Sequence, residues 1–221
     1  WGLTGTIPQE EHQYASLKAS LGNVINRLSA SDLQEQEVLA NCEINIVQIQ
    51  DTVQYPNYQS ELTYLTTNSD RLDYLSELFK DIVKEGNTLV LVDRIKAGEM
   101  LQERLGDESV FISGSVKSAD RREQYDEIQD SDNKVIIATY GVASVGINIP
   151  RIFNLVLLEP GKSFVRVIQS IGRGIRKAQD KDFVKIWDIT SSAKFSKRHL
   201  TKRKKFYTEA KNPFTIQKTT I

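Results

Sequence analysis

Five short, largely apolar runs separated by stretches of helical periodicity constrain the fold of this chain more than any other feature. They are Thr88–Val92, Val110–Ile112, Lys134–Thr139, Leu155–Leu158 and Val184–Ile189. Strands that are apolar on both faces mark a parallel sheet covered by helices on both sides. The intervening segments predict those helices. Leu72, Leu75, Leu78, Phe79, Ile82 and Val83 recur at helical spacing until Glu85-Gly86-Asn87. Ala97, Met100, Leu101 and Leu105 do so until Gly106, and a third helix is expected through Tyr125 and Ile128. In such α/β sheets ligands sit outside the carboxyl ends of the strands. The loops after Val92, Ile112, Thr139, Leu158 and Ile189 are therefore where chemistry is expected.

The flanks read differently. Residues 1–67 open on Gly2-Leu3-Thr4-Gly5-Thr6-Ile7-Pro8, pass through a helical stretch and reach Ile44–Ile49 as an isolated strand, which suggests the end of a preceding domain plus a connector. Residues 68–190 carry the α/β pattern, and residues 191–221 read as a basic helical extension. The chain begins at Trp1 and its only methionine is Met100, so a piece of a longer protein is expected. A single cysteine, Cys42, excludes an intramolecular disulfide, and no apolar run is long enough to span a membrane.

Net charge is informative only once the chain is divided. The whole has 29 basic and 29 acidic residues, yet from Pro160 onward there are 16 Lys and Arg against 4 Asp and Glu. Asymmetry of this size points to a polyanion contacting one part of the chain; the alternative is two oppositely charged surfaces that serve solubility. Within the basic portion, Lys194, Lys197, Arg198, Lys202, Arg203, Lys204 and Lys205 are interleaved with Phe195, Phe206 and Tyr207. That combination suits phosphate contact with base stacking, or a helix docked through its aromatic side chains. Docking is expected for the aromatics and nucleic-acid contact for lysines, with Lys202 and Arg203 among the candidates.

Three segments carry patterns suited to phosphate chemistry. In Gln169-Ser170-Ile171-Gly172-Arg173-Gly174-Ile175-Arg176-Lys177, a helix would place Gln169, Arg173 and Arg176 on one face. Guanidinium groups so arranged fit bidentate contacts to phosphate oxygens. Gly172 and Gly174 each cost a helix about 1 kcal/mol relative to alanine, which suggests close approach of something to the backbone. Ala138–Pro150 runs from a strand into glycines and hydroxyls able to present N–H and Oγ groups to a phosphate. Ser113-Gly114-Ser115, followed by Arg121-Arg122, is either a backbone-phosphate loop or a helix cap.

Other chemistries lack support. Pro160-Gly161-Lys162-Ser163 offers Gly-Lys-Ser, but the first glycine of a P-loop would fall at Val156. No Asp-Glu pair follows an apolar strand as a magnesium site would require. His12, His199 and Cys42 have no companions at metal-ligand or catalytic spacing.

Taken together these segments resemble the second RecA-like domain of superfamily 2 helicases. Gly2–Pro8 resembles motif III, Leu89–Arg94 motif IV, Ser113-Gly114 with Arg121-Arg122 the loop and helix that follow it, Ala138–Pro150 motif V and Gln169–Arg176 motif VI. Gly-Leu-Thr-Gly-Thr with Gln-Ser-Ile-Gly-Arg-Gly-Ile-Arg most resembles the phage T4 UvsW type, DNA helicases of branched DNA and RNA–DNA hybrids. Motif V departs from many relatives by ending Gly146-Ile147-Asn148, an amide where a carboxylate is usual.

The resemblance implies an α/β, RecA-like, mostly parallel sheet that lacks its own P-loop. It implies ATP and Mg2+ held mainly by an amino-terminal RecA-like domain outside this chain, with DNA (branched, duplex or hybrid) as partner and, for a phage protein, the host cytoplasm as location. By the same resemblance Arg176 is the arginine finger, Arg173 binds a phosphate or holds the domains in register, and Gln169 positions it. Gly146, Asn148 and Gly172 lie near the nucleotide. Ser113, Gly114, Thr139 and Arg121 touch the nucleic-acid backbone, and Thr4 and Thr6 couple hydrolysis to movement. A non-catalytic nucleic-acid-binding module, a restriction-system translocase and an RNA helicase remain alternatives.

Overall fold

Alternation along each strand of a two-sided sheet sends successive side chains to opposite faces, so a strand buried on both faces must be apolar at every position. The computed structural model describes residues 10–24, 41–112, 131–146, 152–161, 183–209 and 211–221. Its strands are β1 (Asn41–Ile49), β2 (Thr88–Val92), β3 (Ser109–Ile112), β4 (Val135–Thr139), β5 (Asn154–Leu158), β6 (Phe183–Ser191) and β7 (Phe214–Thr219). They form one sheet in the order β3-β4-β2-β5-β6-β1-β7, with every pairing parallel. The helices are α1 (Glu11–Leu21), α2 (Tyr58–Thr67), α3 (Ser69–Ile82), α4 (Ile95–Leu105), α5 (Tyr140–Gly146) and α6 (Lys194–Glu209).

The two faces divide by residue parity. Leu89, Leu91, Leu155, Leu157, Ile44, Ile46 and Ile186 share one core with Val142 and Ala143 of α5 and Leu200 and Tyr207 of α6. Val90, Val92, Val156, Leu158, Val47, Ile49 and Ile189 share the other with Leu72, Leu75 and Phe79 of α3 and Ala97 and Leu101 of α4. At the amino edge, buried Asn87 joins three strand ends. Its Oδ1 accepts the Lys134 N–H at 2.8 Å, and its carbonyl accepts the Phe153 and Asn154 N–H groups.

The five expected strands and the helices over 69–82 and 95–105 are present; the helix expected through Tyr125 and Ile128 lies outside the described residues. The flanks correct the sequence reading. Ile44–Ile49 is not isolated: β1 lies inside the sheet, paired with β6 on one side and β7 on the other. Residues 41–67 therefore pack with the domain and do not form a connector to it. Residues 191–221 likewise supply α6 and the edge strand β7, where a helical extension was expected.

If β1 is part of the core, Ile46→Ala should lower stability by about 2–5 kcal/mol, because Ile46 is fully buried. Urea unfolding measures this; an unchanged midpoint would exclude β1 from the folded core.

Candidate functional site at the carboxyl edge of the sheet

A parallel sheet gathers the carboxyl ends of its strands along one edge. Ile112, Thr139, Val92 and Leu158 end adjacent strands β3, β4, β2 and β5, and Ser191 and Ile49 continue the same edge through β6 and β1. Of the segments singled out for phosphate chemistry, residues 113–122 follow β3 and 140–150 follow β4 directly, while Gln169–Lys177 comes later in the connection that leaves β5 and lies outside the described residues. Thr139 terminates β4, and its Oγ1 accepts the Val142 N–H at 3.3 Å, capping α5. Gly146 ends that helix. Thr4, Thr6, Ser113, Gly114, Arg121, Asn148, Gln169, Gly172, Arg173 and Arg176 lie outside the described residues.

Between β1, β5 and β6 this edge is closed by a buried ionic network that the sequence reading missed. The Arg71 side chain, in the first turn of α3, is wholly buried. Its guanidinium donates to Asp51 Oδ2 at 2.6 Å, Glu159 Oε1 at 3.3 Å and the Leu65 carbonyl at 3.2 Å. Asp51 follows β1 and also accepts the Ser191 hydroxyl, at 2.5 Å. Glu159 follows β5, and its second oxygen accepts the Ser196 hydroxyl at 2.7 Å. One cation thus ties together the exits of β1 and β5, and two serines extend the tie to β6 and α6. Its signal was present: Arg71, Leu75, Phe79 and Ile82 recur on the buried face of α3. A charged residue on that stripe needs a buried partner.

The turn after β5 is held from both sides. Glu159 has φ 42°, a left-handed conformation uncommon outside glycine, and Gly161 has φ 58°. A Cβ on Gly161 would lie 2.6 Å from the Tyr58 hydroxyl oxygen. The same residue's carbonyl accepts Arg203 Nη1 at 3.3 Å. Gly161, the second glycine of the rejected P-loop match, is a turn residue required by backbone geometry.

Arg203, expected on a nucleic acid, points inward. Its guanidinium is 3% exposed and donates twice to Asp188, at 2.8 Å each, and Asp188 also accepts the Tyr207 hydroxyl at 2.7 Å. The physical reason is its place on the sheet-facing side of α6, beside His199, Leu200 and Tyr207. Burial alone would lower the Arg203 pKa, but the Asp188 charge and hydrogen bonds outweigh it and keep the guanidinium charged. Burial, reinforced by the Asp188 charge, pushes the Tyr207 phenol well up. Lys202, the neighbouring candidate, is exposed. Among the described residues no group of three His, Cys, Asp or Glu side chains is placed to hold a metal ion.

Burial raises the Glu159 carboxyl to about 7, against the opposing pull of the Arg71 charge and the Ser196 hydrogen bond. Below about pH 4.5 the group is protonated in both folded and unfolded chains. As pH rises from there to 7, the unfolded chain releases its proton first, so the folded state loses stability, by at most about 1.4 kcal/mol per pH unit. Wild-type stability relative to Glu159→Gln should therefore fall between pH 5 and 7 and level off above. Denaturant melts at several pH values measure it, and a rise in the wild type's relative stability over that interval would contradict the assignment.

Comparison with known proteins agrees with this geometry. Residues 70–178 match the helicase conserved C-terminal domain. The chain is 24% identical over 220 residues to the ATP-dependent DNA helicase uvsW of Enterobacteria phage T4, covering 93% of this chain and 43% of that protein. The crystal structure of T4 UvsW superposes with a TM-score of 0.71 at 21% identity, over 82% of this chain and 42% of that one. A fragment assigned as the HsdR subunit of a type I restriction enzyme from Vibrio vulnificus gives 0.72 at 15% identity, over 97% and 43%. Dbp5 of S. cerevisiae, bound to RNA and ADP BeF3, gives 0.61 at 16% identity, over 97% and 50%. The structural likenesses carry the fold, and the chain spans less than half the length of the curated relative it matches over 93% of its residues. The chain thus has the fold of the RecA-like C-terminal domains of helicases and is similar to T4 UvsW over most of its length.

Proposed function

We propose that this chain is the carboxyl-terminal half of an ATP-dependent DNA helicase or translocase acting on branched or duplex DNA. One observation supports the reading: β3, β4 and β5 end on the same edge of one sheet, so the chain leaves that edge toward each of the segments resembling the post-motif-IV loop, motif V and motif VI. In a two-domain motor that edge faces the nucleotide cleft and the nucleic-acid track. ATP and Mg2+ are held mainly by the amino-terminal RecA-like domain. This half supplies Arg176 to the γ-phosphate as charge shifts in the transition state, with Arg173 on a phosphate oxygen or holding the domains in register and Gln169 positioning it. Gly146, Asn148 and Gly172 approach the nucleotide. Ser113, Gly114, Thr139 and Arg121 contact the sugar-phosphate backbone, and Thr4 and Thr6 transmit closure of the cleft. Closure on ATP and reopening after hydrolysis step the protein along a strand by backbone contacts.

Single-turnover ATP hydrolysis by the longer protein tests the reading. An arginine finger contributes about 10³-fold or more to the chemical step, so Arg176→Ala should slow hydrolysis by that order while DNA binding persists. An unchanged rate in a variant that still binds DNA would remove Arg176 from this role. Comparing stimulation of hydrolysis by branched DNA, duplex DNA and RNA separates the DNA reading from an RNA helicase.

A further inference from the structure

The outer face of α6 carries Lys194, Lys197, Arg198, Lys202 and Lys205, all exposed and spaced so that they form one stripe along the helix. No acidic residue interrupts the helix before Glu209, which pairs with Lys205 at 3.7 Å. Among the described residues Lys197, Arg198 and Lys202 make no ion pair. Three of these cations lie in the first five residues of α6, which has no acidic residue in its first turn. Positive charge at that end opposes the helix dipole and destabilises the helix. A helix selected for stability alone would carry acidic residues there.

The stripe is also rigid. The Glu61 carboxylate accepts the Phe195 and Ser196 N–H groups at 3.0 and 2.7 Å, capping α6 from α2. The opposite face is anchored by Arg203 and Tyr207 on Asp188. Of the cations on this face only Lys194 meets a ring of the helix, its Nζ 5.4 Å from the Phe195 centroid. Phe195 packs edge-on to Tyr58, Phe206 lies against Tyr207 and the core, and Tyr207 is fully buried. Between Lys197 and Lys205 the surface therefore offers charge, with the helix's rings packed against the domain.

Resting on the reading that this domain acts on nucleic acid, we propose that the outer face of α6 is a docking surface for the sugar-phosphate backbone of duplex nucleic acid. From Lys194 to Lys205 the helix rises about 16 Å. A duplex presents one charge per about 1.7 Å of axis, about twice the density of one of its strands. A straight array of cations, in which only Lys194 at one end meets an aromatic ring, is matched by that charge density and gains little from unstacked bases.

Fluorescence anisotropy of the 221-residue chain tests this, using a 20-base-pair duplex of arbitrary sequence, one of its strands alone, a poly-glutamate peptide and anionic lipid vesicles, each over a salt series. The wild type should bind the duplex most tightly. Lys197→Gln, Arg198→Gln, Lys202→Gln and Lys205→Gln combined should weaken duplex binding at least 10-fold at 0.1 M salt. The log–log salt slope should become about 3–4 units shallower, at about 0.9 per lost phosphate contact. A control with the same charge change elsewhere, Lys18→Gln, Lys80→Gln, Lys84→Gln and Lys96→Gln, should bind nearly as wild type. All eight side chains lie away from the core, so both variants should stay folded, the α6 variant melting at or slightly above the wild type because it removes charge opposing the helix dipole. Absence of duplex binding, equal loss in the control, or equal or tighter binding to the single strand, peptide or vesicles would each overturn the proposal. Because the assay reads binding without ATP, its failure is distinct from failure of the motor reading, which rests on hydrolysis.

Discussion

The buried guanidinium of Arg71 is the interaction on which the carboxyl edge of this sheet depends. A parallel sheet leaves its strand exits as separate loops, joined by nothing in the ladder itself. Here a single cation, fully removed from solvent, takes a carboxylate from the exit of β1 and another from the exit of β5. Removing one partner of such a buried pair is costly, on the order of 3–5 kcal/mol, because the remaining charge is left without compensation. The network therefore resists independent movement of the loops it joins.

Its charge balance gives the network a second property. Two carboxylates face one guanidinium, and Glu159 is the one whose carboxyl burial pushes to about 7. Ser196 links that carboxylate to the first turn of α6, whose N–H groups are capped by Glu61. The exits of β1, β5 and β6 and the start of α6 thus form one polar unit. The adjacent Asp188–Arg203–Tyr207 cluster fixes the same helix further along and reaches back to the Gly161 carbonyl. The turn leading from β5 toward the arginine-bearing segment is held by both clusters, and the cationic face of α6 rests on both.

Much of this fold was legible in the sequence because β2, β4 and β5 are buried on two faces and, with the largely apolar β3 and β6, announce themselves as apolar runs. Their observed limits lie within two residues of those expected. β1 and β7 were not legible as members of the sheet. Asn45 and Gln48 interrupt the apolar character of β1, and its partners Phe183–Ser191 and Phe214–Thr219 lie more than 130 residues away. β7 is an edge strand whose Thr215, Ile216, Gln217 and Lys218 are exposed, so its pattern reads as polar. In the basic tail, counting charges did not separate Arg203 from Lys202. Only helical phase does so, since position 203 shares a face with His199, Leu200 and Tyr207. The edge that the parallel topology marked for chemistry is the edge where the strands end, while the ionic network beneath it comes from contacts between residues as distant as Arg71 and Glu159.

These features describe a domain built to present loops from one rigid edge, which suits half of a two-domain motor. Steady-state ATP hydrolysis, with and without DNA, is the most direct measurement of that claim. It compares the longer protein we propose with the same protein lacking residues 41–221. The account predicts that hydrolysis falls at least about 10³-fold and no longer responds to DNA when this domain is removed. Undiminished, DNA-stimulated hydrolysis by the shortened protein would contradict it.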